Sequence, residues 1–343
     1  MHRLAAVASL AVIFTIYTFQ PAAAEGYWAR PLGIAPGYDG SWATDINDGG
    51  VVICASASIR DTGGVFTWNR VSGLVDLSGH GIQANGGINN NGQTVGMYRD
   101  DVSGWYRPYI RNADGTTANL SVPEGVADAW PAAVRDDGRV VVDLEYRNAE
   151  GLLTDTRSAV IGDAESVTFI DYPDGYTSAR AISANGTMAI GNSIWTDSGG
   201  LRVMPWLVNA GSVEVRGVND LGWIVGMSNG RVLRWDANGN LSDLGVGAAF
   251  GINNLGQVVG STEGNAMLWS TDISVSVLAS PEGYSSSAAY AINNMGQVVG
   301  EGTAANGQRI ALLWEPVPEP SSLLVLAGGL AGLGGMALRR RRA

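Results

Sequence analysis

The side chains of this chain that could do chemistry are few and scattered. There are two histidines, His2 and His80. A Ser/His/Asp triad in the body would have to use His80, which stands in a loop-like Ser78-Gly79-His80-Gly81 with no nucleophile-elbow pattern around it. The same count excludes a histidine-rich zinc centre. The one cysteine, Cys54, follows Val51-Val52-Ile53 on an expected buried strand. It reads as a packed thiol, and no intrachain disulfide can form. All 21 basic residues are arginine, so Schiff-base chemistry and a Walker-type phosphate loop are excluded.

Carboxylates are plentiful. Asp48, Asp136, Asp137 and Asp220 fall in repeated turns, where Asp and Asn bond the local backbone; glycosidase-like pairing of carboxylates stays open. Asp236-Ala237-Asn238-Gly239-Asn240-Leu241 begins like a calcium loop but lacks the glycine at its sixth position and the later Glu. No catalytic residue, cofactor site or metal site is therefore assigned, calcium being the metal that the oxygen-rich side chains would best suit. The formal net charge is −11, and four of the arginines sit together at the C-terminus, so the body is more acidic still. An acidic body repels phosphate backbones, and a nucleic-acid partner is not expected.

The elements that would position any site are set by a repeat. Gly251-Ile252-Asn253-Asn254-Leu255-Gly256-Gln257-Val258-Val259-Gly260 recurs as Ala291-Ile292-Asn293-Asn294-Met295-Gly296-Gln297-Val298-Val299-Gly300, with further copies beginning at Gly87 and Gly217. Weaker copies centre on Ile46-Asn47-Asp48, Val134-Arg135-Asp136 and Ile182-Ser183-Ala184. The anchors are 46, 88, 134, 182, 218, 252 and 292. A period near 40 residues is that of a four-stranded propeller blade. Within a unit a short apolar strand ends at Ile-Asn, and Asn-x-Gly supplies a tight turn. Gln-Val-Val-Gly starts the return strand, and Leu-Trp marks a third strand at Trp269 and Trp314, with related positions at Trp68, Trp206 and Trp235. These tryptophans are expected between neighbouring blades.

The seventh unit runs out after Leu312-Leu313-Trp314, one strand short. Ala29-Arg30-Pro31-Leu32-Gly33 resembles Ser242-Asp243-Leu244-Gly245 and is expected to supply the missing strand. A linear solenoid gains nothing from such a split unit, whereas a ring loses its bare edge. The fold class is therefore all-β, a seven-bladed propeller over residues 26–316. Low charge (15%), 48 glycines and 11 tryptophans agree with a β-rich exported protein. The repeat is similar to the extracellular HAF-repeat family, through its Ile-Asn-Asn-x-Gly-Gln-Val-Val-Gly copies. It departs from that family in having Asn265-Ala266-Met267 and Ile310-Ala311-Leu312 where the family has His-Ala-Phe. The resemblance implies no established reaction.

The two ends concern delivery. Met1-His2-Arg3, an apolar run and Ala22-x-Ala24-Glu25 form a secretory signal over residues 1–24, with cleavage expected after Ala24; an uncleaved anchor is the alternative. At the other end stand Val317, Pro318, Glu319 and Pro320, an uncharged stretch over 321–338, and Arg339, Arg340, Arg341 and Arg342. As a helix the stretch would span roughly 27 Å, close to a bilayer core, with the arginines on the cytoplasmic side.

This tail, residues 317–343, resembles the PEP-CTERM sorting signal of Gram-negative bacteria. The resemblance implies recognition by an exosortase near Val317–Pro320, transient anchoring in the inner membrane, and a final place at the cell surface or in an exopolysaccharide or biofilm matrix; a plain single-span anchor is the alternative. The expected function is that of an exported, non-enzymatic propeller that binds polysaccharide or protein. Alternatives are a secreted polysaccharide lyase or glycosidase using carboxylates at the propeller mouth, and a purely structural matrix component.

Overall fold

Each Ile-Asn-Asn-x-Gly copy makes one reverse turn, and the physical reason is local. The first Asn accepts two backbone N–H groups through its side-chain oxygen: Asn253 Oδ1 takes Leu255 N at 3.1 Å and Gln257 N at 3.0 Å. The glycine then adopts the left-handed conformation, with φ between 73 and 87° at Gly50, Gly92, Gly138, Gly186, Gly222, Gly256 and Gly296. The chain reverses and Val-Val pairs back along the strand it has just left. Repeated around the chain, this yields antiparallel meanders.

The structure, a computed structural model, describes residues 26–57, 63–77, 87–162, 166–170, 181–190, 193–204 and 213–317. The signal segment with Ala22, Ala24 and Glu25 lies outside the described residues, as do His80, Trp206, Pro318, Glu319, Pro320, the stretch 321–338 and Arg339 to Arg342.

Among the described residues seven sheets follow one another, six of four strands and one of three. Blade 1 spans Gly40–Asp76, blade 2 Thr94–Asn119, blade 3 Val126–Ile170, blade 4 Ala181–Val203, blade 5 Glu214–Val246 and blade 6 Ala248–Val277. In blade 2 the innermost position is marked by the bridge Ile88↔Thr94. Blade 7 contains Tyr284–Ile292, Val298–Ala304 and Arg309–Pro316, and its outer strand is the N-terminal Tyr27–Gly33. Tyr27 pairs with Pro316 and Trp28 with Glu315, and Val317 N donates to Gly26 O at 2.8 Å. The split last unit is closed as the repeat arithmetic requires.

The apolar core is divided into seven clusters, each lying between two adjacent blades. Val259 and Leu268 of blade 6 meet Ala289, Val298 and Leu312 of blade 7. Val299 and Leu313 of blade 7 meet Ala43, Val52 and Cys54 of blade 1, which closes the ring. Cys54 is fully buried there and its thiol is pushed up to about 12 by burial, so it packs as a small apolar side chain. Third-strand tryptophans Trp68, Trp235, Trp269 and Trp314 are buried between blades as expected. In blade 4 the equivalent position is Trp195, paired with Met188 as Trp269 is with Val258. Trp206, the position that the sequence suggests here, lies outside the described residues; Trp195 carries no repeat signal because the return strand is Met188-Ala189-Ile190 rather than Val-Val-Gly.

Candidate functional site

At the inner end of each blade the Asn turns meet, and they are bonded to one another around the ring. Asn47 Nδ2 donates to Asn89 O at 2.9 Å and Asn89 Nδ2 to Arg135 O at 2.8 Å. Asn219, Asn253 and Asn293 donate in the same way to Asn253 O, Asn293 O and Asn47 O. The next residue makes a second girdle. Asp48 N donates to Asn90 Oδ1, Asn90 N to Asp136 Oδ1, Asp220 N to Asn254 Oδ1, Asn254 N to Asn294 Oδ1 and Asn294 N to Asp48 Oδ1, all within 2.9 Å. Blades 3 and 4 lack the first Asn. Arg135 compensates by reaching Asn185 O at 3.2 Å and Asp197, and Asn185 N donates to Asp220 Oδ1.

These bonds account for the turn carboxylates. Asp48 accepts the backbone and side chain of Asn294, and Asp136 those of Asn90. Asp220 accepts Asn185 N and Asn254 Nδ2. Asp137 pairs with Arg135 and Arg139. The Asp236 turn is closed on itself by Asn238 N and Asn240. Among the described residues no group of three or more His, Cys, Asp or Glu is placed to hold a metal ion.

The turns surround a cavity of about 500 Å³ at this end of the central channel. Its wall carries a second device. In blades 1, 3, 5, 6 and 7 the inner strand has a bulge two residues before the repeat anchor, at Thr44, Ala132, Arg216, Phe250 and Tyr290. A bulge inserts one unpaired residue and re-aims its side chain, and all five line the cavity. In blades 5, 6 and 7 the repeat ends in a glycine that lets the bulged strand come close: a Cβ at Gly226 would lie 2.8 Å from Glu214 O, one at Gly260 1.8 Å from Ala248 O, and one at Gly300 1.9 Å from Ala288 O, whereas blades 1 and 3 bulge opposite Cys54 and Val142. The repeated frame thus holds five inserted positions, Thr44, Ala132, Arg216, Phe250 and Tyr290, at which the units differ.

Phe250 and Tyr290 meet edge-on with ring centroids 5.4 Å apart. The Tyr290 hydroxyl is pushed up to about 12, first by burial and then by the neighbouring Glu301. Arg216 pairs with Glu214 at 2.9 Å, and its Nε has no hydrogen-bond partner among the described residues. Asp45, next to the bulged Thr44, accepts Ile46 N at 2.8 Å and Ile88 N at 2.9 Å. Burial nevertheless raises its pKa against those two bonds. None of Asp45, Arg216, Phe250 and Tyr290 was singled out from sequence. For Arg216, Phe250 and Tyr290 the available signal was the residue two before each anchor, where the copies differ in chemistry; Asp45, one residue before its anchor, has no such signal.

The C-terminus leaves blade 7 at the same end. Glu315 is held by Arg70 at 2.5 Å and by Gln297 at 3.1 Å, and beyond it Val317 begins the Val-Pro-Glu-Pro segment. The chain carries a PEP-CTERM protein-sorting motif. The family model of that description matches residues 316–342, so the chain is that of an exported protein, anchored in the membrane before processing. No curated protein matches the chain. In fold, the chain is similar to a streptogramin B lyase structure, with a TM-score of 0.54 and 10% identity over 85% of this chain and 98% of that one. It is also similar to virginiamycin B lyase from Staphylococcus aureus, with a TM-score of 0.52 and 10% identity over 84% and 99%. At such identity the likeness concerns the propeller alone.

Proposed function

We propose that this PEP-CTERM protein is a non-enzymatic binding propeller of the cell surface or extracellular matrix, and that its cavity takes a polysaccharide. The carrying observation is the bulged ring. The repeated turns are bonded into the ring, while the inserted residues Thr44, Arg216, Phe250 and Tyr290 present a hydroxyl, a cation and two aromatic faces to one cavity. Aromatic edges and a guanidinium beside hydrogen-bonding groups suit the alternating apolar and hydroxyl surfaces of a sugar chain. In this reading a signal peptide is removed after Ala24, the stretch 321–338 spans the inner membrane with Arg339 to Arg342 on the cytoplasmic side, and an exosortase cuts near Val317–Pro320. The repeat body is taken as a divergent HAF-type propeller.

The test is binding of the purified protein to exopolysaccharide isolated from its own host. Phe250→Ala and Tyr290→Ala should each weaken binding about tenfold, the effect of losing about 1.4 kcal/mol of contact. Unchanged binding in both variants would remove the cavity from the reading.

A second reading, a lyase or glycosidase, rests on Asp45. A cavity carboxyl with a raised pKa is a candidate general acid. Turnover of that polysaccharide by the wild type and its loss in Asp45→Asn would favour this reading over simple binding.

A further inference from the structure

The tail and the cavity share one face of the propeller, and that face is chemically lopsided. In a four-stranded meander the first and third connections fall on the same side of the disc. The Asn turns are first connections, and the point where Pro316 gives way to Val317 is the third connection of blade 7. At the tips of the Asn turns, blades 1 to 3 carry Gly49, Asn91 and Asp137, whereas blades 5, 6 and 7 carry Leu221, Leu255 and Met295. These three are 58%, 57% and 62% exposed. The apolar tips are consecutive, because their turns are bonded directly to each other. They end at the blade from which the tail departs.

The exit is clamped by the Val317–Gly26 bond and the Glu315–Arg70 pair. Only Pro318, Glu319 and Pro320 separate Val317 from the uncharged stretch that starts at Ser321. Four Cα steps reach at most about 14 Å, so a bilayer holding that stretch lies within about 14 Å of this face at blade 7. On the opposite face, exposed Val102 and Leu152 stand on blades 2 and 3, away from the exit.

We infer that, before the tail is cut, the Leu221–Leu255–Met295 crescent rests on the lipid surface of the membrane, and that this contact covers the cavity until the tail is removed. The inference rests on the sorting reading of the tail. The contact is apolar, because the exposed tips that make it, Leu221, Leu255 and Met295, carry no charge, so raised salt should not release it.

The test uses the full chain in vesicles of phosphatidylethanolamine and phosphatidylglycerol with brominated acyl chains. A fluorophore is attached at Ile273→Cys, on the tail face of blade 6, or at Val102→Cys, on the opposite face; Cys54 is buried and stays unlabelled. The label at 273 should be quenched by lipid and the label at 102 should not. Changing Leu221, Leu255 and Met295 together to Ser should abolish the difference. Equal quenching at both sites in carbonate-resistant protein would overturn the docking while leaving the anchor intact. Protein extracted by carbonate would instead overturn the anchor, and the docking with it.

Discussion

Asn293 joins the last blade to the first, so its removal tests the ring of turns at its seam. Its side chain is 4% exposed on a residue basis and makes four bonds. Nδ2 donates to Asn47 O at 2.9 Å and Gln297 Oε1 at 2.8 Å, and Oδ1 accepts Met295 N at 3.1 Å and Gln297 N at 2.9 Å. With a net worth of roughly 0.5–1.5 kcal/mol per bond, and with water able to replace some of them at a turn, Asn293→Ala should cost about 3 kcal/mol. For a body of about 290 residues the unfolding entropy is near 0.6 kcal/mol per kelvin, so the melting temperature should fall by about 5 °C. Asn293→Asp sharpens the test. Its carboxylate would face two oxygens, the Asn47 carbonyl and the Gln297 amide oxygen, so its folded pKa is raised above its unfolded one. A group that binds its proton more tightly in the folded state adds stability as pH falls. The Asn293→Asp deficit should therefore be largest at neutral pH and shrink in acid, whereas that of Asn293→Ala should not. Thermal melting followed by tryptophan fluorescence reads both, with Leu255→Ser, at an exposed tip, as a control expected within about 0.5 kcal/mol of wild type. If Asn293→Ala melted with the wild type, or if the two deficits kept a constant ratio across pH, the turn-to-turn bonds would not be holding the seam.

Two further expectations concern blades 3 and 4. Gly186 has φ +87°, and an added Cβ would lie 2.2 Å from the Arg135 guanidinium; Gly186→Ala should cost well over the 1–2 kcal/mol of left-handed strain alone, which Gly230→Ala, with φ +73° and open space around it, reports by itself in urea unfolding. Asp197 is held below the ordinary carboxylate range, first by its hydrogen bond from Arg135, so its contribution is complete above about pH 4 and is lost as pH falls further. The urea midpoint of Arg135→Ala should start lower than wild type and fall less steeply between neutral pH and acid.

The ring was legible because its determinants are local and repeated: Asn293 and Gly296 act within their own turn, and the same letters recur at Asn253 and Gly256. Closure by Tyr27–Gly33 was legible for the same reason, since a unit short of one strand must find it elsewhere. The cavity was not. Arg216, Phe250 and Tyr290 become neighbours only because five inner strands bulge at one register, and a bulge leaves no residue type of its own in the sequence. Its trace is indirect, in glycines such as Gly260 and Gly300 that read as turn or strand-end residues until the carbonyls opposite them are seen. Trp195 was lost because blade 4 writes the repeat with Met188 and Thr187 in place of its common letters.

The split of blade 7 between the two ends of the chain sets an order of events during export. If the signal peptide proposed above leads the chain, Tyr27–Gly33 is the first strand to cross the membrane, and its partner, Arg309–Pro316, is the last to follow before the sorting tail. Contacts that far apart in sequence form late. Blades 1 to 6 can assemble as they emerge, but the disc can close only when the tail itself has arrived. Completion of the fold and delivery of the chain to its sorting step therefore coincide, and a chain that stalls in transit presents an open arc with a free strand at its head.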